Sequence, residues 1–142
     1  MKLGQMSSKT YYIDTSALIK LFVIEKESKN LQKFFSSKKP KLVSSALIET
    51  EVARTLLRLQ REYGREAQEI LDSVVLFDVT KSILADSTKL LPQSNLRAID
   101  SIHIATCNML KSGVAGLISY DKRMMSAASQ LGITVFSPGL SS

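Results

Sequence analysis

Four acidic residues lie in separate stretches of the chain, at positions where a solvated surface charge is not expected. Each stands at the end of a predicted element or on an otherwise apolar helix face, and the four are Asp14, Glu51, Asp100 and Asp121. If folding brought them together, their mutual repulsion would call for a divalent cation between them. Hard cations such as Mg²⁺ are bound through carboxylate oxygens. The pattern suggests a metal-dependent enzyme, provided that the four acids converge.

Each acid also has an ordinary structural explanation. Asp14 and Asp121 each precede a predicted helix and could serve as N-caps. Glu51 could pair with arginines on its own helix, although each such pair contributes only about 0.2–0.5 kcal/mol. Asp100 would interact favourably with the first turn of its helix, but an acid on so apolar a helix is rarely buried without a partner. Taken alone, Glu51 is better explained as a surface residue, and Asp121 is explained equally well either way.

A row of arginines follows Glu51 along the same predicted helix, beside an apolar stripe that we expect to face the core. The arginines are Arg54, Arg58, Arg61 and Arg65, and the stripe is Ile48, Val52, Leu56 and Leu59. The row is either a solvated face or a surface that binds phosphate groups. We interpret Arg54 and Arg58 as candidates for contacts to substrate phosphates.

Length and charge define the class of protein. A chain of 142 residues with 44% hydrophobic content is long enough to form one globular domain with a sizeable core. Nineteen Lys and Arg against thirteen Asp and Glu leave a net charge of +6, which favours a phosphate-rich partner.

No apolar run approaches the roughly 20 residues that span a bilayer. No signal peptide is recognisable near the N-terminus, so we expect a cytoplasmic protein without membrane contact.

The only cysteine and the only histidine lie one helical turn apart. Cys107 belongs to an apolar helical pattern, and we interpret it as a buried core residue in a reducing compartment. A nucleophilic cysteine would need a base beside it, and His103 is the one candidate. His103 could act as a base or ligand, but packing is the simpler explanation. A single histidine and a single cysteine do not offer a zinc-type ligand set.

Short β-rich runs alternate with longer helical runs, which predicts a parallel sheet covered by helices on both faces. The predicted strands are 11–13, 42–43, 74–79 (a buried strand), 117–119 and 133–136. The predicted helices are 15–24, 28–37, one capped by Ser45 and running to about Tyr63, 66–73, 81–91, one capped by Ser94 or Asn95 and running to Lys111, and 122–131. In such sheets ligands bind beyond the carboxyl ends of the strands. Asp14 and Asp121 each follow a predicted strand, so both belong at that edge if the two strands are neighbours.

Four segments, in order, resemble the PIN-domain nucleases, and most closely the VapC-type toxins of toxin–antitoxin pairs. They are YYIDTSALIKLF (11–22), VSSALIETEVART (43–55), RAIDSIHIAT (97–106) and LISYDKRMMSAASQLGITVFSP (117–138). The resemblance covers essentially everything after Lys9. It implies an α/β fold, a PIN-like three-layer sandwich with a mostly parallel central sheet. We expect a single domain over residues 10–142 after a flexible N-terminus at residues 1–9.

The functional residues of the family carry over residue by residue. The acids match Asp14, Glu51, Asp100 and Asp121, and the hydroxyl residues match Ser16 and Ser119, where the family usually has Thr at the second position. The resemblance implies hydrolysis of RNA phosphodiester bonds with Mg²⁺, for which Mn²⁺ can substitute. In this interpretation the three aspartates bind the metal directly or through water. Glu51 completes the metal shell or orients the attacking water.

The resemblance also implies partners. VapC-like toxins usually form homodimers and are neutralised by a small antitoxin, so we expect both, in addition to an RNA substrate. The antitoxin would dock in a groove between the early and middle helices, and the apolar candidates there are Leu21, Phe22, Phe34 and Phe35. The alternative for these side chains is ordinary packing in the core.

Two other functions are compatible with parts of the pattern. A non-catalytic RNA-binding or scaffold module on the same fold would explain the basic charge, but it would not need all four acids. A haloacid-dehalogenase-like phosphatase needs Asp-x-Asp after the first strand. The chain has Asp14-Thr15-Ser16 there, which disfavours that class.

Overall fold

A single sheet of five parallel strands forms the centre of the structure. The computed structural model describes residues 9–62 and 64–141. The strands are β1 (Thr10–Ile13), β2 (Lys41–Ser45), β3 (Val74–Phe77), β4 (Leu117–Ile118) and β5 (Val135–Phe136), in the order β3-β2-β1-β4-β5. Every pairing is parallel, which confirms the predicted α/β class. The segment 1–9, predicted to be flexible, falls outside the described residues except for Lys9.

Within the part of the chain that the structure describes, seven α-helices cover the two faces of the sheet. They are α1 (Thr15–Leu18), α2 (Ser28–Lys38), α3 (Leu47–Arg58), α4 (Arg65–Asp72), α5 (Lys81–Ser87), α6 (Ala98–Met109) and α7 (Lys122–Gln130), with 3₁₀ turns at Ile19–Leu21 and Lys111–Gly113. Helices α1 to α4 bury one face, α6 and α7 bury the other, and α5 packs on α6. Within the described residues, no helix has the length and apolarity needed to cross a bilayer.

Strand β1 contributes to both cores because successive side chains of a strand point to opposite faces. Tyr11 and Ile13 pack with the helices of the first face, and Tyr12 packs with α6 and α7 on the second. All three side chains are buried. The chain immediately after β1 is therefore held rigidly from both sides.

Helix α3 ends earlier than predicted. It stops at Arg58 because Gln60 takes a left-handed conformation (φ 55°) and the amide of Arg61 donates to the carbonyl of Leu56, a hydrogen bond typical of a helix C-terminus. Leu59 is consequently 45% exposed, and the prediction that it belongs to the core stripe is wrong. The remaining stripe residues are buried as expected.

Other element boundaries also differ from the predictions. Helix α1 ends at Leu18 and continues only as a 3₁₀ turn. Ser45 ends β2, although its hydroxyl accepts a hydrogen bond from the amide of Leu47 at the start of α3. Helix α6 begins at Ala98 rather than after Ser94 or Asn95. Strand β3 is an edge strand with Val75 58% exposed, so the prediction of a fully buried strand is wrong.

The strand order creates a crevice between β1 and β4. Strand β1 leads into helices on the first face, whereas β4 leads into α7 on the second face. The two strands are neighbours, so the chain diverges to opposite sides at their carboxyl ends. In open α/β sheets this topological switch point is where ligands bind.

Candidate active site

A small cleft lies at the carboxyl ends of β1 and β4. Its volume is about 50 Å³, and all four acids singled out in the sequence contribute to its lining. The lining residues are Asp14, Thr15, Ser16, Glu51, Asp100, His103, Asp121 and Met124. The fold therefore brings together acids that come from four separate segments of the chain.

Asp14 is the most deeply buried of the four acids. It caps α1, where its Oδ1 accepts a hydrogen bond from the amide of Ala17 at 3.1 Å. The side chain is thus both an N-cap and part of the cleft, so the two explanations were not exclusive. Burial raises the pKa of Asp14 above its ordinary value of 3.8, although hydrogen bonds from Ser119 and Ser16 act in the opposite direction. A cation at the cleft would favour the ionised form.

Two serine hydroxyls connect Asp14 to the junction between β4 and α7. The amide of Tyr120 donates to Ser16 Oγ at 2.9 Å, and Ser16 in turn donates to Asp14 Oδ1 at 2.6 Å. The amide of Asp121 donates to Ser119 Oγ at 3.1 Å, and Ser119 donates to Asp14 Oδ2. These hydroxyls orient the buried carboxylate and fix the spacing between β1 and the residues after β4.

Glu51 reaches the cleft from α3 and is held through one oxygen. Its Oε1 accepts hydrogen bonds from Thr15 Oγ1 at 2.9 Å and from His103 Nε2 at 2.5 Å. The side chain is 28% exposed. Both bonds use Oε1, which leaves Oε2 available for a water or an ion. Glu51 is therefore not part of a purely solvated helix face.

Asp100 and Asp121 complete the acidic lining. Asp100 lies in the first turn of α6, where the backbone amide and Nε of Arg97 approach its Oδ2 at 3.4 and 3.5 Å. Asp121 caps α7 and accepts from the amides of Arg123 and Met124 at 2.9 and 3.2 Å. Each acid is anchored by its own helix, and anchored carboxylates are well suited to hold a ligand.

The oxygen-rich lining fits a hard divalent cation. Within residues 9–62 and 64–141, no three His, Cys, Asp or Glu side chains lie close enough to enclose an ion directly. The cleft nevertheless combines four carboxylates with the hydroxyls of Thr15 and Ser16, which is the donor chemistry that Mg²⁺ and Mn²⁺ prefer. Mg²⁺ usually keeps several water ligands in proteins. The residues therefore fit an ion that is held partly through water.

The predicted row of four arginines on one helix is wrong, because α3 ends at Arg58, Arg61 lies after it and Arg65 begins α4. None of the four belongs to the lining of the cleft. Arg54 and Arg58 are exposed on α3, one and two turns after Glu51. In the described part of the chain, neither forms an ion pair with an acid. Both guanidinium groups are thus free to contact an anionic ligand.

Cys107 is not a candidate nucleophile. It is fully buried against α7 in the second core, and burial raises the pKa of its thiol to about 12. A thiol in this state does not supply the thiolate that nucleophilic attack requires. The interpretation of Cys107 as a core residue is consistent with its position.

Lys20 forms a partly buried charge cluster next to Tyr120, outside the lining of the cleft, which was not predicted from the sequence. Its Nζ donates to Glu27 at 2.9 Å and to Glu25 at 3.2 Å, and it lies 4.7 Å from the centre of the Tyr120 ring. Burial lowers the pKa of Lys20, but its hydrogen bonds to Glu27 and Glu25 outweigh this effect and raise it. Since Tyr120 is flanked by two site residues, the cluster supports the β4–α7 junction. The signal in the sequence was a lysine within an apolar run, followed by two glutamates.

Comparison with known proteins identifies related chains. The family model described as "PIN domain" matches residues 11–130. Ribonuclease VapC46 of Mycobacterium tuberculosis is 42% identical over 130 residues, which cover 89% of this chain and 96% of that protein. Ribonuclease VapC35 of the same species is 30% identical over 131 residues, covering 90% and 96%.

Solved structures with low sequence identity share the fold. A toxin–antitoxin complex from Klebsiella pneumoniae has a chain with a TM-score of 0.67 and 20% identity, covering 90% of this chain and 97% of that one. VapC20 of Mycobacterium tuberculosis, described as a toxin that cleaves the sarcin-ricin loop, has a TM-score of 0.69 and 18% identity, covering 82% and 94%. At these identities the likeness concerns the fold alone.

Proposed function

Because the chain belongs to the PIN-domain family and is of the VapC type, we propose that it is a divalent-metal-dependent endoribonuclease and the toxin of a toxin–antitoxin pair. The observation that carries the proposal is the convergence of Asp14, Glu51, Asp100 and Asp121 on one cleft. The net charge of +6 supports a polyanionic substrate. Two relatives, VapC46 and VapC35, are named as ribonucleases, which supports RNA as the substrate.

The proposed roles follow from the anchoring of each acid. Asp14, Asp100 and Asp121 would hold Mg²⁺, or Mn²⁺ in its place, directly or through water. When bound, the ion would polarise a phosphate oxygen and lower the pKa of a coordinated water. Glu51 keeps its Oε2 available, so it would complete the shell or orient the attacking water. Ser16 and Ser119 hold Asp14 in place through their hydroxyls.

Cleavage of RNA by site variants tests the function. We expect the wild type to cut RNA with Mg²⁺ and to stop when EDTA is added. Asp14→Asn and Asp100→Asn should each lose at least about 100-fold in rate, because each removes a charged oxygen ligand. Asp86→Asn on α5 is the matched control, since Asp86 is exposed and lies outside the cleft. Equal cleavage by the wild type and both site variants would disprove the proposal.

The scaffold alternative is less well supported. A module that only binds RNA has no need for four anchored carboxylates around one cleft. If the wild type bound RNA but neither took up Mn²⁺ nor cut RNA, the scaffold function would replace the nuclease.

We also propose a small antitoxin and a second copy of the chain as protein partners. The antitoxin is supported by a cavity of about 290 Å³ beside α3, lined by Phe22, Leu56, Arg61, Glu62, Gly64, Glu66 and Ala67. All four apolar candidates, Leu21, Phe22, Phe34 and Phe35, are half-buried against the first core, as the packing alternative expects. Phe22 also contributes to the lining of this cavity. The homodimer is proposed from the family resemblance. Light scattering should give a molar mass about twice the 15.7 kDa of one chain.

A further inference from the structure

We propose that Tyr12 and His103 are positioning residues that hold Glu51 in one orientation at the cleft. The inference rests on the proposed nuclease function, because it concerns the same site. It assigns a role to the only histidine of the chain and to a tyrosine in the central strand.

A directional series of hydrogen bonds runs from the sheet to Glu51. The amide of Ser45 donates to Tyr12 Oη at 3.1 Å. An amide can only donate, so the phenol oxygen accepts there, and its own hydrogen is free to point elsewhere. Tyr12 Oη lies 2.7 Å from His103 Nδ1, a distance at which the phenol can donate its hydrogen bond to that nitrogen.

The series indicates one tautomer of His103. A carboxylate oxygen can only accept, so the ring hydrogen that faces Glu51 is on Nε2, and Nδ1 is available to accept from Tyr12. Nε2 lies 2.5 Å from Glu51 Oε1 and donates to it. Tyr12 and Glu51 thus contact the two ring nitrogens of His103 from opposite sides and hold the ring between the sheet and the acid.

Burial separates this role from direct catalysis. Tyr12 is fully buried, and His103 is only 2% exposed, so neither offers an open surface to a substrate. Glu51 is partly exposed and carries the free Oε2. Without His103, the long Glu51 side chain would keep only the bond from Thr15 and could adopt several rotamers.

A positioning role predicts an effect on metal affinity. Partners that orient the ligands of a metal typically contribute 10- to 100-fold in affinity or activity. A histidine that merely fills the core would change the stability of the fold and leave the affinity of the folded protein unchanged. The two possibilities can be separated by measuring Mn²⁺ binding on variants that remain folded.

The first measurement is ¹⁵N NMR of the imidazole in the untagged full chain. Since the chain has one histidine, the signals need no assignment by mutagenesis. We expect the metal-free wild type at neutral pH to carry a hydrogen on Nε2 and none on Nδ1. Tyr12→Phe should keep the hydrogen on Nε2, because Glu51 still accepts it, and should shift the Nδ1 resonance, because Nδ1 loses its hydrogen-bond donor. A hydrogen on Nδ1 in the wild type would overturn the proposal.

The second measurement is the Mn²⁺ dissociation constant, determined by calorimetry or electron paramagnetic resonance. His103→Ala should weaken binding by about 10- to 100-fold. His103→Gln should recover most of the affinity, because the glutamine amide can donate to Glu51. Tyr11→Phe is the control for Tyr12→Phe, since Tyr11 is a buried tyrosine of the same strand on the opposite face of the sheet.

Folding is checked by circular dichroism for every variant. If His103→Ala fails to fold, Tyr12→Phe decides the question. Wild-type Mn²⁺ affinity in Tyr12→Phe and in a folded His103→Ala, or in Tyr12→Phe alone when His103→Ala does not fold, would overturn the proposal. A wild type that does not cut RNA would contradict the nuclease function. The NMR and Mn²⁺ results would still decide the positioning role independently.

Discussion

Asp14 combines a structural and a functional position in one side chain. It caps α1, accepts hydrogen bonds from two serine hydroxyls and is 3% exposed. Such a carboxylate is well hydrogen-bonded yet poorly solvated, and burial dominates its pKa. The folded protein therefore carries an electrostatic cost at neutral pH that a bound cation would relieve.

The raised pKa of Asp14 predicts a pH-dependent stability in the absence of metal. Between the ordinary value of 3.8 and the higher folded-state value, the folded protein binds more protons than the unfolded chain, so stability falls as pH rises through this window. Asp14→Asn removes this contribution. We expect its unfolding free energy in EDTA to decline less between pH 4 and pH 7 than that of the wild type.

Urea unfolding at both pH values measures this difference. Asp86→Asn serves as the control for the general loss of one negative charge. If Asp14→Asn and Asp86→Asn show the same pH dependence as the wild type, the carboxyl of Asp14 is not the group responsible.

At the residue scale, the positions of the four acids could be predicted from the sequence, but their hydrogen-bond partners could not. Asp14 and Asp100 stood out because a charge after a strand or on an apolar helix is costly. Glu51 did not, because helical spacing with arginines predicts an exposed salt-bridge face. Its actual partners, Thr15 and His103, lie 36 and 52 residues away in the sequence. Such partners are set by tertiary packing and have no local signal.

At the scale of elements, the order of strands and helices was predictable and their ends were not. Alternating patterns identified five strands, and all five occur in one parallel sheet. The end of α3 depends on Gln60 in a left-handed conformation, which glycine would have signalled and glutamine does not. The segment before α6 also contains a left-handed residue that is not glycine, Leu91, followed by an irregular turn. The sequence gives no clear signal for such a turn, and the start of α6 at Ala98 was therefore not predicted.

Helix α3 presents two exposed arginines, Arg54 and Arg58, along one face after Glu51. Arg54→Ala with Arg58→Ala should weaken RNA binding. It should also reduce the slope of log K against log salt by about 1.4, the value for two contacts to a single strand.

Binding is measured on the Asp14→Asn background, so that the RNA is not cut. Lys29→Ala with Lys33→Ala removes the same charge from the exposed face of α2 and should leave the slope nearly unchanged. Equal slopes for the two double variants would mean that α3 is not a specific phosphate-binding surface.

At the scale of the whole molecule, topology explains why distant segments form one site. The switch between β1 and β4 leaves a crevice, and helices from both faces project acids toward it. This convergence could be anticipated from sequence only on the condition that the two strands were neighbours. The basic net charge and the acidic cleft then have separate roles, the first attracting a polyanion and the second holding a cation.

The toxin assignment predicts an effect on cells. Expression of the chain in a bacterial host should stop growth, because RNA cleavage would deplete essential transcripts or functional RNAs. Asp14→Asn should be harmless at the same expression level. Co-expression of a cognate antitoxin should restore growth, and Phe22→Glu should weaken that rescue by placing a charge in the cavity beside α3.

Growth curves with matched protein levels, checked by immunoblot, provide the measurement. Arrest by Asp14→Asn equal to that of the wild type would attribute toxicity to something other than the cleft. Full rescue of Phe22→Glu would exclude this cavity as the antitoxin groove.

The hydrogen bond between Asp14 and Ser119 spans 105 residues of sequence. During translation, the segment with the first acid is made long before β4, and β4 must then insert beside β1. Until that happens, Asp14 lacks the Ser119 hydroxyl, Asp121 does not yet exist, and β1 has only one of its two neighbours. The cleft can therefore form only after nearly the whole chain has been synthesised, so the partly made protein on the ribosome does not yet have a complete site.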